Sequence, residues 1–361
     1  MCRCHVFVVN EKTFSYHLKY LFAGTTAGKT TAGNYKERHY GLLADIARTR
    51  KGDKVVFYVE QVGFFGIFEI DSDYPLYEPL DGWLQKELDI PLIYRVRIRP
   101  AEVYDKPVSE WEAIDKLPEK SRDIRWSLLY RKLAGKRGCS YMFPHEAEGL
   151  LSLIRNKGRV LTCQLSEKEF LCYEEKEKSI SLKESNERFD YKGSNDSPND
   201  QIASVKTECE LQAWFCWNLG RNETLDRIAP RDSLVWFANE VYAGSGNQKM
   251  DILCIVSRGD TREYRVLELK KDKPETEKLV EQTRRYVWWL NSYQRVGDEK
   301  IRVYWIARGF EQDSFDHANR LKEEERQNGL IGIHMLKWKQ ENGNVSLAPF
   351  EDYSQKTLWE K

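Results

Sequence analysis

Asp251, Glu268 and Lys270 are spaced so that their side chains can act on one point. Glu268 and Lys270 stand two apart in the run YRVLELK, and alternate residues of a strand share a face. Asp251 opens the apolar run DILCIV, and SRGDTRE between the runs has the glycine and polar residues of a turn. The stretch therefore reads as a β-hairpin in which the Asp251 carboxylate meets that of Glu268. Two carboxylates on one spot repel unless a cation lies between them. Oxygen ligands suit Mg²⁺, with Mn²⁺ able to substitute, and Mg²⁺ keeps several waters and binds phosphate oxygens. A lysine beside such an ion can orient a water and offset charge developing on a phosphate.

The elements around this hairpin carry further candidates. Upstream, Glu208-Cys-Glu-Leu211 starts an amphipathic helix. Downstream, a helix from Thr276 to Leu290 places Gln282 and Tyr286 four apart on one face. The order is a glutamate on a helix, an aspartate, Glu-x-Lys on the next strand, then a glutamine helix. In that order the stretch resembles the PD-(D/E)xK nuclease superfamily, with Met250 where the motif has proline. The resemblance implies that Asp251, Glu268 and Glu208 hold the metal, that Lys270 positions the attacking water, and that Gln282 supports water or phosphate. Lys271, Arg284 and Arg285 are candidate contacts to a DNA backbone. Taken alone, ELKK more often describes an edge strand with a solvated tail; the four-part order separates the two readings.

A chain of 361 residues is long enough for two domains. Its 57 basic and 57 acidic residues cancel, so nucleic-acid binding has to come from local patches. The eight cysteines form no C-x-x-C pair, which argues against a zinc ribbon. No signal peptide or long apolar run is present, so a cytoplasmic protein with free thiols and no membrane contact is expected.

In the N-terminal half, CHVFVVN reads as a strand, Lys12 to Phe22 as a helix, and AGTTAGKTTAGN as a loop. GKTT is out of register for a phosphate-binding loop. Tyr40 to Arg50 is helical in pattern, VVFYV and FFGIFEI form a hairpin, LIYRVRIRP is another strand, and Pro144 to Arg155 is a helix. Gly66 marks a place where another backbone or a ligand approaches closely. This succession, with KGDKVVFY and FGIFEI above all, resembles the EVE domain, a PUA-like barrel related to the YTH readers of methylated adenine. The resemblance implies a pocket for a flipped, modified base, held between aromatic faces and read at its edge. By position, Trp83 and Phe22 correspond to the aromatic wall, Asn10 to a polar group on the base, and Tyr58 to a further wall. Lys136 and Arg137, near the turn LAGKRG, are candidate phosphate contacts.

The expected organisation is an EVE-like, PUA-like β-barrel with helices over residues 1–160, a charged Ser/Asn-rich linker over 161–206, and a mixed sheet flanked by helices over 207–361. The fold class is two-domain α+β or α/β. The expected activity is a Mg²⁺-dependent endonuclease that reads a modified base, a cytosine derivative in the first instance, in double-stranded DNA, as in defence against modified phage DNA. Cutting both strands requires two sites, hence a homodimer at least on DNA. Two alternatives stay open: a repair or RNA-processing nuclease, and a non-catalytic binding protein with a degenerate nuclease domain.

Overall fold

The computed structural model describes residues 3–25, 37–78, 83–88, 92–114, 138–189, 191, 193, 196–198, 205–244, 248–294, 299–341 and 344–350. The chain divides into two units, Met1–Asp200 and Gln201–Lys361, each a mixture of helix and sheet.

In the first unit the described elements are β1 (Cys4–Val9), α1 (Glu11–Lys19), β2 (Phe22–Thr25), α2 (Glu37–Ala47), β3 (Lys54–Val59), β4 (Gly63–Ile70), β5 (Leu76–Tyr77), α3 (Trp83–Leu88), β6 (Tyr94–Pro100), β7 (Val103–Tyr104), β8 (Cys139–Tyr141), α4 (Pro144–Lys157), β9 (Val160–Thr162), β10 (Glu169–Glu174) and β11 (Ser179–Glu184). The main sheet runs β2-β6-β4-β3-β1-β8, with β5 on β6, and only β1 and β3 pair in parallel. Among the described residues no ladder joins β2 to β8. Among the described residues the sheet curls part of the way to the expected barrel, and its edges approach where Thr25 packs on Gly138, too closely for a Cβ there. At Gly66 a Cβ would stand 3.2 Å from the Val55 carbonyl oxygen, where the β3/β4 register shifts. That is the close backbone approach its glycine implies.

Both faces of this sheet are covered, which is why its strands read as continuous apolar runs. Phe57 meets Phe14 of α1 at 5.4 Å between ring centroids, while Val56 and Tyr58 face the cluster of Met142, Leu150 and Ile154 around α4. Helix α1 is capped by Asn10, ends at Lys19 and gives way to strand at Phe22, earlier than expected, with Leu21 in the left-handed region between them.

Much of the stretch read as a linker is built into this unit. Strand β9 pairs with β7, and β10–β11 form a hairpin on α1. Leu171, Tyr173 and Ile180 are buried, and the Tyr173 hydroxyl donates to Glu11 at 2.6 Å. The acidic and basic residues that suggest a solvated connection occupy the hairpin turn and its outer face.

The second unit is a six-stranded sheet in sequence order: β12 (Leu234–Tyr242), β13 (Lys249–Arg258), β14 (Thr261–Leu269), β15 (Lys300–Ala307), β16 (Leu330–Glu341) and β17 (Asn344–Pro349). Strands β14, β15 and β16 are parallel and the other neighbours antiparallel. Helix α5 (Glu208–Asn218) precedes the sheet, and α6 (Thr276–Tyr293) and α7 (Ser314–Glu324) are the crossovers. Helix α6 covers the face that bears Glu268, where the Trp305 indole donates to Thr283 at 2.9 Å. The opposite face of β14 carries buried Arg265, whose guanidinium donates to Glu263 and to the Ile228 carbonyl. Among the described residues no helix is long and apolar enough to cross a membrane.

Candidate functional site

The hairpin β13–β14 sets the geometry. Its register pairs Ile252 with Leu267, so Asp251 and Glu268 are the next facing pair and share a face of the sheet. The Asp251 carboxylate also accepts from the Leu269 backbone N–H at 2.7 Å. Lys270 lies one residue past β14, yet stays extended: its N–H donates to the Ile306 carbonyl, and its own carbonyl accepts from the Trp338 indole. Its ammonium donates to Glu268 at 2.7 Å and stands 3.6 Å from Glu208.

Glu208 is held there by a capping box. Thr207 accepts from the Glu210 N–H, and the Glu210 carboxylate accepts from the N–H of Thr207 and of Lys206 at 2.6 Å. This fixes the first turn of α5 and puts Glu208 at the positive end of the helix. One turn on, Gln212 donates to the Asp251 carbonyl at 3.1 Å, tying α5 to the head of β13. On the other side Tyr286 of α6 donates to the Lys249 carbonyl at 2.7 Å.

These groups perturb one another. Burial pushes the Asp251 carboxyl well above its ordinary range; the facing Glu268 and then Glu208 add to this, against Lys270 and the Leu269 N–H. Burial likewise raises Glu268, opposed chiefly by Lys270. Lys270 is drawn down by burial but held above its usual value by Glu268, Asp251 and Glu208. The Tyr286 phenol is raised by burial and then by the two carboxylates. Three carboxylates against one ammonium leave two negative charges uncompensated when all are ionised, and the Tyr286 hydroxyl is the further group that reaches Glu268. A divalent cation with its own waters fits that imbalance. Among the described residues no three Asp, Glu, His or Cys side chains converge as a closed ligand set. The expected ligand set of Asp251, Glu268 and Glu208 is thus not gathered as one group: Lys270 stands between Glu268 and Glu208.

A cleft of about 450 Å³ opens beside Lys270, lined by Lys273, Lys278, Leu279, Gln282 and Arg285 among others. Of the residues expected on a DNA backbone, Arg285 lines this cleft with no ion-pair or hydrogen-bond partner among the described residues. Arg284 is bound to Glu324 at 2.6 Å and Glu325 at 3.3 Å, joining the ends of α6 and α7. Lys271 is exposed beside Asp272, and Lys136 and Arg137 lie outside the described residues. Lys273, a candidate phosphate contact from its place beside Lys271, does line the cleft, whereas Gln212 and Lys278 were not singled out from sequence; the i+4 spacing of Gln212 from Glu208 is the signal that could have found the first.

The four residues expected in a base pocket are not gathered in one place. Asn10 caps α1, accepting from the Thr13 N–H at 2.8 Å. Tyr58 is buried in the α4 cluster and donates to Glu110. Phe22 and Trp83 do share a cluster, with Tyr20, Leu84, Phe189 and Tyr191. There Trp83, first residue of α3 and not a loop residue, stands edge-on to Tyr20 at 4.8 Å, and Lys19 lies 4.1 Å over the Phe189 ring. The Trp83 indole N–H is buried with no partner among the described residues, within this aromatic cluster.

No family model matches this chain, and no curated protein matches it. Among solved structures, the human THYN1 protein in complex with 5-methylcytosine containing DNA is similar at 11% identity, over 42% of this chain and 96% of that one, with a TM-score of 0.28.

Proposed function

We propose that this chain is a metal-dependent DNA endonuclease whose N-terminal unit reads a modified base. The observation that carries the catalytic half is Asp251 and Glu268 facing each other across one hairpin, with Lys270 on Glu268 and within reach of Glu208. Asp251 and Glu268 would hold the cation, Mg²⁺ or Mn²⁺, which when bound would lower the pKa of a water and neutralise charge on a phosphate oxygen. Lys270 keeps its proton and acts by position: it orients the attacking water and offsets charge on the phosphorane. Gln282 and Arg285, both lining the cleft beside Lys270, take the non-bridging oxygens of the target or the next phosphate. A water O–P bond forms, a P–O ester bond breaks, the attacking water gives up its proton to solvent, and the leaving alkoxide takes one from solvent.

The reading half rests on the cluster around Trp83, where an unpartnered indole N–H sits among aromatic rings. A base leaving the stack finds there π-faces and one directed donor. A methylated or hydroxymethylated cytosine is the first candidate. Double-strand cleavage needs two such chains on one duplex, so assembly on DNA belongs to the same proposal.

The test is a cleavage panel in Mg²⁺ on matched duplexes carrying plain, 5-methyl-, 5-hydroxymethyl- and glucosylated cytosine or N6-methyladenine. Cleavage restricted to some modified duplexes is the expected result. Equal cleavage of all, including plain DNA, overturns the reading role, and absence of cleavage with either ion overturns the catalytic one.

A further inference from the structure

One large apolar side chain on the second unit has no place in its core. Trp288 of α6 is 54% exposed, whereas its neighbour Trp289 is completely buried. The apolar side of the helix is already filled by Leu279, Tyr286, Val287, Trp289 and Leu290. Trp288 meets one described ring, that of Tyr293, edge-on at 5.7 Å.

Its position on the helix links it to the cleft. At about 100° per residue, Trp288 lies roughly 60° round the helix from Arg285 and one turn further along. Arg285 and Gln282 line the cleft with Lys270, and neither has a hydrogen-bond or ion-pair partner among the described residues. The adjacent Arg284, by contrast, is spent on Glu324 and Glu325. The exposed stripe of α6 therefore offers an amide, a free guanidinium and an indole in succession, beginning beside Lys270. The six residues from Gln282 to Trp288 span about 9 Å of helix axis. That is the rise of roughly two to three stacked nucleotides of one DNA strand. The cleft lysines already face carboxylates, Lys270 on Glu268, Lys273 on Glu311 and Lys278 on Glu275, and Glu281 lines the cleft too, so among the described residues Arg285 is the cation left for a phosphate chain, and an indole face accepts any base from such a chain.

We propose that Trp288 is a stacking platform for an unpaired base two to three nucleotides from the phosphate held over Gln282. The C-terminal unit thereby engages a DNA strand that is single or locally opened, not closed duplex. This rests on the cleft being the path of the substrate strand, and it deepens the proposed function by naming the state of the DNA at the site. A base paired within a duplex presents no free face to an indole on a convex helix.

The experiment measures binding, not cleavage, so it stays informative if the nuclease reading fails. Full-length protein in EDTA is titrated with a fluorescein-labelled single strand of about 12 nucleotides, the same strand with abasic sites, and the matched unmodified duplex. Stacking of one base is worth about 1–3 kcal/mol. Trp288→Ala is then expected to weaken single-strand binding about 5- to 150-fold, while Trp288→Phe retains most of it. The wild-type preference for the intact strand over the abasic one should vanish in Trp288→Ala. Duplex binding and the melting midpoint should stay unchanged. Single-strand affinity within twofold of wild type in Trp288→Ala overturns the proposal. So does an equal loss on strand and duplex, a fall in melting midpoint that accompanies the loss, or no measurable single-strand binding by the wild type.

Discussion

Removing the Asp251 charge should stabilise the metal-free protein and abolish its response to the metal. In Asp251→Asn the amide oxygen can keep the 2.7 Å bond from Leu269 N–H, so the packing of the hairpin is retained. What disappears is an ionised group facing Glu268. Two unit charges about 5 Å apart at an effective dielectric of about 20 repel by roughly 3 kcal/mol. Lys270, at comparable range, returns a similar amount to Asp251, so the surviving penalty comes from burial and from Glu208. A net gain of about 1–2 kcal/mol follows, which for a unit of this size is a rise of roughly 3–6 °C in melting midpoint. In Mg²⁺ the gap should close. At ten times its dissociation constant the ion stabilises the wild type by about 1.4 kcal/mol, and it should do little for the variant. The same charge fixes the sign with pH. Asp251 is raised in the folded state, so the native chain binds more protons than the unfolded one between the ordinary carboxylate range and that raised value. Metal-free stability should therefore increase as pH falls through the raised value, and this increment should be smaller in Asp251→Asn. Thermal unfolding in EDTA and in Mg²⁺, at neutral and mildly acidic pH, checks all three. A less stable variant in EDTA, or an equal Mg²⁺ shift in both proteins, would refute the reasoning.

Further expectations concern individual side chains. Lys270→Ala should lower cleavage at least 100-fold while DNA affinity in EDTA stays within a few-fold, because the role proposed for the lysine is on the transition state; cleavage at wild-type rates would remove it from the site. Arg285→Gln should weaken DNA binding and reduce the slope of log affinity against log salt by about one, measured by anisotropy at several salt concentrations. Arg284→Gln should leave that slope alone and cost under about 1 kcal/mol, as an exposed pair; equal effects from the two would contradict the division of roles on α6. Trp83→Ala should erase discrimination between modified and plain duplexes with Lys270 chemistry intact, whereas undiminished discrimination would move the base pocket elsewhere.

Alternation of side chains made the carboxylate–lysine cluster legible. Glu268 and Lys270 had to share a face, and an antiparallel return placed Asp251 on that face too. Thr207 and Glu210, three apart at the start of an apolar run, carried the capping box that fixes Glu208. The N-terminal unit was harder to read for a physical reason. Where helices cover both faces of a sheet, alternation disappears, and nothing in VVFYV distinguishes Phe57, facing α1, from Tyr58, facing α4. Asn10 has the composition of a base-reading group and of a helix cap, and the cap is what the chain forms. In residues 169–184 two buried positions on β10, Leu171 and Tyr173, were masked by the charged turn between the strands. The difference between Arg284 and Arg285 was invisible because its cause, Glu324 and Glu325, is some forty residues away.

The two residues proposed to hold the cation stand on adjacent strands joined by a two-residue turn at Gly259 and Asp260, with Gly259 in the left-handed conformation the turn needs. Closing so short a loop sacrifices little chain entropy, and hairpins form within about 1–10 μs. The carboxylates therefore meet before the distant crossovers through α6 and α7 bring covering helices over them. Repulsion between them opposes the earliest native pairing of the sheet, and a cation that relieves it acts on the folding transition state. Mg²⁺ should accordingly quicken refolding of the wild-type chain, as well as slow its unfolding, and do neither for Asp251→Asn. A stopped-flow refolding rate indifferent to Mg²⁺ would place the meeting of the two carboxylates after the barrier.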